Sequence, residues 1–161
     1  MSMIVRENAA YVAIDFQEKL MPVMSGTEKL EEKTIKLVKG LNALGIPGIV
    51  TQQYTKGIGE TIPSIAEALG EFEHVEKNSF SCMANEEFVS RLEALGKKDI
   101  IVFGIEAHIC VQQTVLQLLD AGYNVCLAVD CISSRSEEDR LWGITRMGEA
   151  GAAITTYEAI L

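Results

Sequence analysis

Short apolar runs alternate with amphipathic helical patterns from one end of this chain to the other. Ala9 to Ile14 is the first apolar run. Thr27 to Leu44 is the first long helical pattern, with Leu30, Ile35, Leu37, Val38, Leu41 and Leu44 apolar and Lys and Glu between them. Further strand-like runs fall at Gly48 to Thr51, His74 to Glu76, Asp99 to Phe103, Asn124 to Val129 and Ala152 to Thr155. Between them lie a loop from Tyr54 to Pro63, a short helix around Ile65 to Leu69, and helices at Glu86 to Leu95, from Cys110 to Gly122 and at Glu137 to Glu149. Asn85 and Ser136 stand where caps belong. Strands separated by helices pair in parallel through right-handed crossovers, with helices on both faces. The expected fold is therefore α/β, a three-layer α/β/α arrangement on a six-stranded parallel sheet. At 161 residues, positions 1–161 fit one domain.

Composition removes several function classes. The chain is 48% apolar, yet no run approaches the length of a transmembrane helix. Met1 to Asn8 lacks the layout of a signal peptide, so an intracellular, cytoplasmic protein is expected. A net charge of −9 offers no basic stripe for phosphates, which argues against a nucleic-acid partner. Cys82, Cys110, Cys126 and Cys131 form no CxxC pair and no zinc-like cluster with histidine. Reduced thiols and no metal or cofactor are the expectation, with Cys126 a core filler between Val125 and Leu127. No GxGxxG follows the first strand, which disfavours a nucleotide-binding reading.

Ligands in open parallel sheets bind outside the carboxyl ends of the strands. That rule selects Asp15, the segment Thr51 to Tyr54, Lys77, the turn Gly104 to Cys110, and Asp130. Cys110 opens a helix after a strand, where unpaired N–H groups and the helix dipole favour the thiolate. A small buried cysteine packing behind the sheet fits the same pattern. Asp15 is equally readable as a helix cap or turn residue, and Lys77 as a solvated loop charge. Together they suit nucleophilic chemistry, with Cys110 attacking, Asp15 moving the proton and Lys77 holding the anionic partners. His74 starts a strand, and His108 reads as a pocket-lining or surface residue rather than a base. Leu141, Trp142, Ile144 and Met147 read as core ahead of interface.

Four segments carry a family resemblance. They are Ala13-Ile14-Asp15-Phe16-Gln17, Lys77-Asn78-Ser79-Phe80-Ser81, Gly104-Ile105-Glu106-Ala107-His108-Ile109-Cys110-Val111 and Asp130-Cys131-Ile132-Ser133-Ser134-Arg135. In this order the chain resembles the isochorismatase-like cysteine hydrolases, which include nicotinamidases. The resemblance implies an Asp15, Lys77, Cys110 triad and the sheet order 3-2-1-4-5-6. It also implies a cis peptide between Ile105 and Glu106, and an oxyanion site at Ile105, Glu106 and Ala107. Nicotinamidases carry an Asp-x-His...His metal site after strand two. Here Thr51 to Gly59 contains no histidine, so no metal is expected. The Ala107-His108 pair and the Ser133 to Ser136 run are similar to the isochorismatase domain-containing subgroup.

The expected function is a metal-independent cysteine hydrolase of a small amide, ester or related carbonyl compound. It would work through an acyl-enzyme thioester on Cys110, with no cofactor. Phe16, Gln53, Tyr54 and Phe80 are expected to line the pocket for a small-molecule substrate. A scaffold or binding protein that keeps the fold but turns over nothing is the alternative. The resemblance and the apolar fraction both point to a homo-oligomer.

Overall fold

The computed structural model describes residues 3–161 and forms one six-stranded parallel sheet in the order β3-β2-β1-β4-β5-β6. The strands are β1 (Ala9–Ile14), β2 (Gly48–Gln53), β3 (Val75–Lys77), β4 (Asp99–Ile105), β5 (Asn124–Ser133) and β6 (Ala153–Thr155). The helices are α1 (Thr27–Ala43), α2 (Thr55–Ile58), α3 (Pro63–Leu69), α4 (Glu86–Leu95), α5 (Gln112–Asp120), α6 (Glu137–Glu149) and α7 (Tyr157–Ile160). The chain starts at the middle of the sheet, works outward to β3, then returns to lay β4 on the other side of β1. Every residue of β1 and of β4 is buried, which is why both read as unbroken apolar runs. α1 packs against α3 and α7, and α5 against α6. Leu37, Val38, Leu41, Phe88, Leu92, Val115 and Leu118 from these helices close on the sheet. Among the described residues no helix is long and apolar enough to cross a membrane.

Most boundaries shift by a residue or two from the sequence reading, and three of the differences bear on the named residues. The third strand lies one residue later, so Lys77 ends it opposite Gln53 and is no loop charge. His74 stays outside the strand, with Nε2 3.0 Å from Glu76. The stretch from Tyr54 to Pro63 contains the short helix α2. β5 runs on through Asp130 to Ser133, with a bulge: Val102 faces Leu127, but Gly104 already faces Ile132. Asp130 is thus interior to a strand, accepting a hydrogen bond from the Tyr157 N–H at 2.9 Å with Lys33 3.8 Å away. On α6, Ile144 and Met147 are buried as expected, whereas Leu141 and Trp142 are 54% and 62% exposed. Helical spacing alone does not say how wide the covered stripe is.

Gly104 lets β1 and β4 approach at the carboxyl edge. Its φ is +137°, and a Cβ there would lie 2.7 Å from the Ile14 nitrogen and closer still to the Ile14 carbonyl. Backbone cannot yield as a side-chain tip can. Gly104→Ala is expected to cost roughly 3–5 kcal/mol, from strained dihedrals plus overpacking. Gly122→Ala, at φ +88° with open space around it, should cost only about 1–2 kcal/mol. Urea unfolding of both variants checks this; equal losses would contradict it.

Candidate active site

Lys77 sits one strand beyond β2, and Asp15 lies on the near side of it. Two strand spacings, roughly 10 Å, separate β3 from β1, so only a long side chain bridges them. Lys77 is fully buried and Asp15 is 1% exposed. Lys77 Nζ stands 2.9 Å from Asp15 Oδ2 and 3.5 Å from Cys110 Sγ. It also donates to Gln53 Oε1 at 2.6 Å and approaches the carbonyls of Ser79 and Phe80 at 3.1 and 3.0 Å. Five acceptors thus compete for three N–H bonds, which suits only a charged ammonium. Burial pushes Lys77 down, but the Asp15 carboxylate outweighs it and leaves the amine above its usual range.

Asp15 caps no helix; the turn that follows it is capped at Leu20. Its φ of +56° is unusual for a non-glycine residue. Thr51 fixes it twice: the Asp15 N–H donates to the Thr51 carbonyl at 3.2 Å, and the Thr51 hydroxyl donates to Oδ1 at 2.8 Å. Oδ2 accepts no aligned hydrogen bond and lies 2.9 Å from the ammonium.

Gln17 supports both partners, a role the sequence reading did not give it. Its N–H donates to the Asp15 carbonyl at 2.7 Å. Its side-chain amide donates to the Gln53 and Gly59 carbonyls, each at 2.8 Å, and accepts the Gln53 N–H at 2.7 Å. A fully buried glutamine satisfied in this way fixes the end of β2, and with it the Gln53 oxygen that meets Lys77. The only sequence hint was a polar residue two positions past a strand-end aspartate.

Cys110 differs from the expected helix-opening residue. The segment Ala107–Val111 is a π-helical turn ahead of α5, and Cys110 is its fourth residue. The Ile109 and Val111 N–H groups share the Glu106 carbonyl, at 3.1 and 3.2 Å. The peptide between Ile105 and Glu106 is cis. Cys110 is 8% exposed. Burial pushes its thiol up to about 12, Asp15 adds to that by charge and hydrogen bond, and Lys77 only partly opposes them. The shift runs opposite to the one the dipole argument favours. Cys82, fully buried nearby, is also pushed up to about 11, mainly by burial.

The isochorismatase domain model matches residues 9–159. The chain belongs to the isochorismatase family. It is 35% identical over 94% of its length to isochorismatase domain-containing protein 1 of Salmo salar, and 36% over 91% to isochorismatase domain-containing protein 2 of Danio rerio. It spans 53% of the first and 74% of the second. The chain thus covers about half the length of some curated relatives. A structure described as MAR1 ribonuclease from Caenorhabditis elegans superposes with a TM-score of 0.91 at 38% identity, covering 98% of this chain and 81% of that one. The Escherichia coli YcaC gene product, described as an octameric hydrolase of unknown specificity, gives 0.94 at 22% identity, covering 99% and 80%, and shows the fold alone. The fold is that of isochorismatase-family hydrolases.

The remaining residues named from sequence fall at different depths around this cluster. Phe16 is buried against Phe103, ring centroids 6.0 Å apart. Gln53 spends its side-chain oxygen on Lys77. Tyr54 and Phe80 are exposed, and Tyr54 has a φ of +35°. Ile105 and Ala107 are buried, whereas the Glu106 carboxylate binds the Arg135 N–H and Nε, each at 3.0 Å. At the end of β2, Gln52 and Glu76 are tied up with Thr55, Glu60 and Thr61. Among the described residues no three His, Cys, Asp or Glu side chains are grouped to hold a metal ion.

The buried pair should betray itself in stability. Lys77→Met leaves the Asp15 carboxylate uncompensated and is expected to cost about 3–5 kcal/mol. Adding Asp15→Asn removes the orphaned charge, so the double variant should recover a large part of that loss. A double-mutant cycle by urea unfolding measures it, and simple additivity would contradict the coupling.

Proposed function

We propose that this chain is a metal-independent cysteine hydrolase of a small amide, ester or related carbonyl compound. The observation that carries the reading is the buried Lys77 ammonium lying within reach of both the free Asp15 oxygen and the Cys110 sulfur. Membership of the isochorismatase family supports it. Cys110 Sγ attacks the carbonyl carbon while its proton passes to Asp15 Oδ2. Backbone N–H groups near Ala107 and Cys110 receive the oxyanion, each such donor contributing on the order of 3 kcal/mol to the transition state. Collapse expels the amine or alcohol, which takes the proton from Asp15 and leaves a thioester. Asp15 then draws a proton from water, which cleaves the thioester and regenerates the thiol. Lys77 offsets the negative charge that Asp15 and the sulfur share.

Tyr54 and Phe80 are the exposed aromatics beside this triad and suit a planar substrate. We read the active form as a homo-oligomer formed within the cytoplasm by one such domain per chain. The exposed Leu141 and Trp142 supply apolar surface for association, and the Escherichia coli relative is described as an octamer. RNA is the competing substrate class, because the nematode relative is described as a ribonuclease. A net charge of −9 and an almost buried thiol favour small neutral molecules.

A panel of small amides and esters, with an RNA oligomer alongside, tests the reading by product release and by intact mass. Wild type is expected to hydrolyse a panel member and carry an acyl adduct on Cys110. Cys110→Ala should lose the adduct and fall on the order of 10⁴-fold or more in rate. Undiminished hydrolysis by Cys110→Ala, or cleavage of RNA with no panel member consumed, would overturn it.

A further inference from the structure

His108 and Ser134 take no part in the chemistry above, yet they meet beside it. His108 lies in the same π-helical turn as Cys110, two residues before it. Its Nδ1 is 2.9 Å from the hydroxyl of Ser134. Ser134 follows β5 and is completely buried. The segment it belongs to is itself anchored: the Ser25 N–H donates to the Ser134 carbonyl at 2.8 Å, and the Ser133 hydroxyl donates to the Ser25 carbonyl at 2.6 Å. The other ring nitrogen of His108 points toward Asp139 on α6, with Nε2 3.8 Å from Oδ2. α6 presses close here, since a Cβ on Gly143 would stand 3.0 Å from the Ala107 carbonyl and from His108 Cα.

We propose that His108 is a positioning residue whose hydrogen bond to Ser134 holds the Ala107–Val111 turn against the β5–α6 junction and so sets the place of Cys110. This deepens the hydrolase reading and rests on it. Besides the Arg135 N–H, which also donates to Glu106, two side-chain ion pairs join the same segments, and each has an exposed partner. Arg135, which meets Glu106, is 64% exposed, and Asp139 is 56% exposed. Ion pairs in water contribute little and are screened by salt. The Ser134 hydroxyl is the buried partner, so losing its contact strands a polar group with no water to replace it. Because a single turn carries both residues, freeing residue 108 loosens the backbone that aims Sγ between Lys77 and Asp15. A displacement of about 1 Å is enough to alter such a site.

The experiment reads the ionisation midpoint of Cys110, labelled with ¹³C at Cβ, by NMR in wild type and three variants. Circular dichroism follows folding at each pH. An asparagine places an amide where Nδ1 stands, so His108→Asn retains the Ser134 contact and loses only Asp139. His108→Ala loses both. Ser134→Ala leaves the imidazole in place without its partner. The expected result is a midpoint lowered by about one pH unit or more, tenfold in thiolate fraction, in His108→Ala and in Ser134→Ala. His108→Asn should stay near wild type. Equal midpoints in all four proteins, or a fall in His108→Asn as large as in His108→Ala, would overturn the proposal. If His108→Ala does not fold, Ser134→Ala against His108→Asn decides by the same criterion. Wild type that consumes no panel member and carries no acyl adduct on Cys110 would sink the hydrolase reading instead, which keeps the two failures apart.

Discussion

A charged lysine with no access to water organises the carboxyl edge of this molecule. Lys77 cannot leave its charge unpaired there, and its surroundings are what burial of an ammonium demands: one carboxylate, one amide oxygen, two carbonyls and a sulfur. Those five acceptors come from four stretches of chain. The end of β1, the end of β2, the loop after β3 and the turn after β4 must therefore arrive together or the charge is stranded. The site is in this sense a condition of folding as well as of chemistry.

The sheet makes the arrival possible. Starting at the centre and reversing direction puts β1 beside β4, so Asp15 and the Cys110 turn are neighbours, while β3 is reached only by the length of a lysine stem. Gly104 allows the two central strands to close, and Gln17 fixes the end of β2. Strain is tolerated where it serves this purpose: Asp15 and Tyr54 both occupy positive φ at the rim. Elsewhere the helices are ordinary, with Asn85 and Ser136 accepting the capping hydrogen bonds their positions suggest.

Much of this is legible in sequence because it rests on long, strongly patterned segments. β1 and β4 are unbroken apolar runs, α1 carries its stripe over four turns, and the strand-end rule picks out Asp15, Lys77 and Cys110 from a short list. What is not legible lives in tertiary contacts. β3 has only three residues, too few to reveal where pairing stops. A π-helical turn has nearly the same apolar spacing as an α-helix, so Cys110 reads as the start of a helix when it is the fourth residue of a turn. The helix dipole and Lys77 speak for a thiolate, but the sequence does not show the depth of burial or the Asp15 oxygen beside the sulfur, and those two win. Gln17 is silent for the same reason: its role is to satisfy backbone groups 36 and 42 residues away.

The central claim is that Asp15, second only to burial, keeps the Cys110 proton in place until a carbonyl arrives. Titration of ¹³C-labelled Cys110 in Asp15→Asn against wild type tests it most directly. Removing the carboxylate leaves Lys77 unopposed, so the raised midpoint should fall by about one pH unit or more. A midpoint that stays where it was, or rises, would show that burial alone holds the proton and that Asp15 is not its keeper.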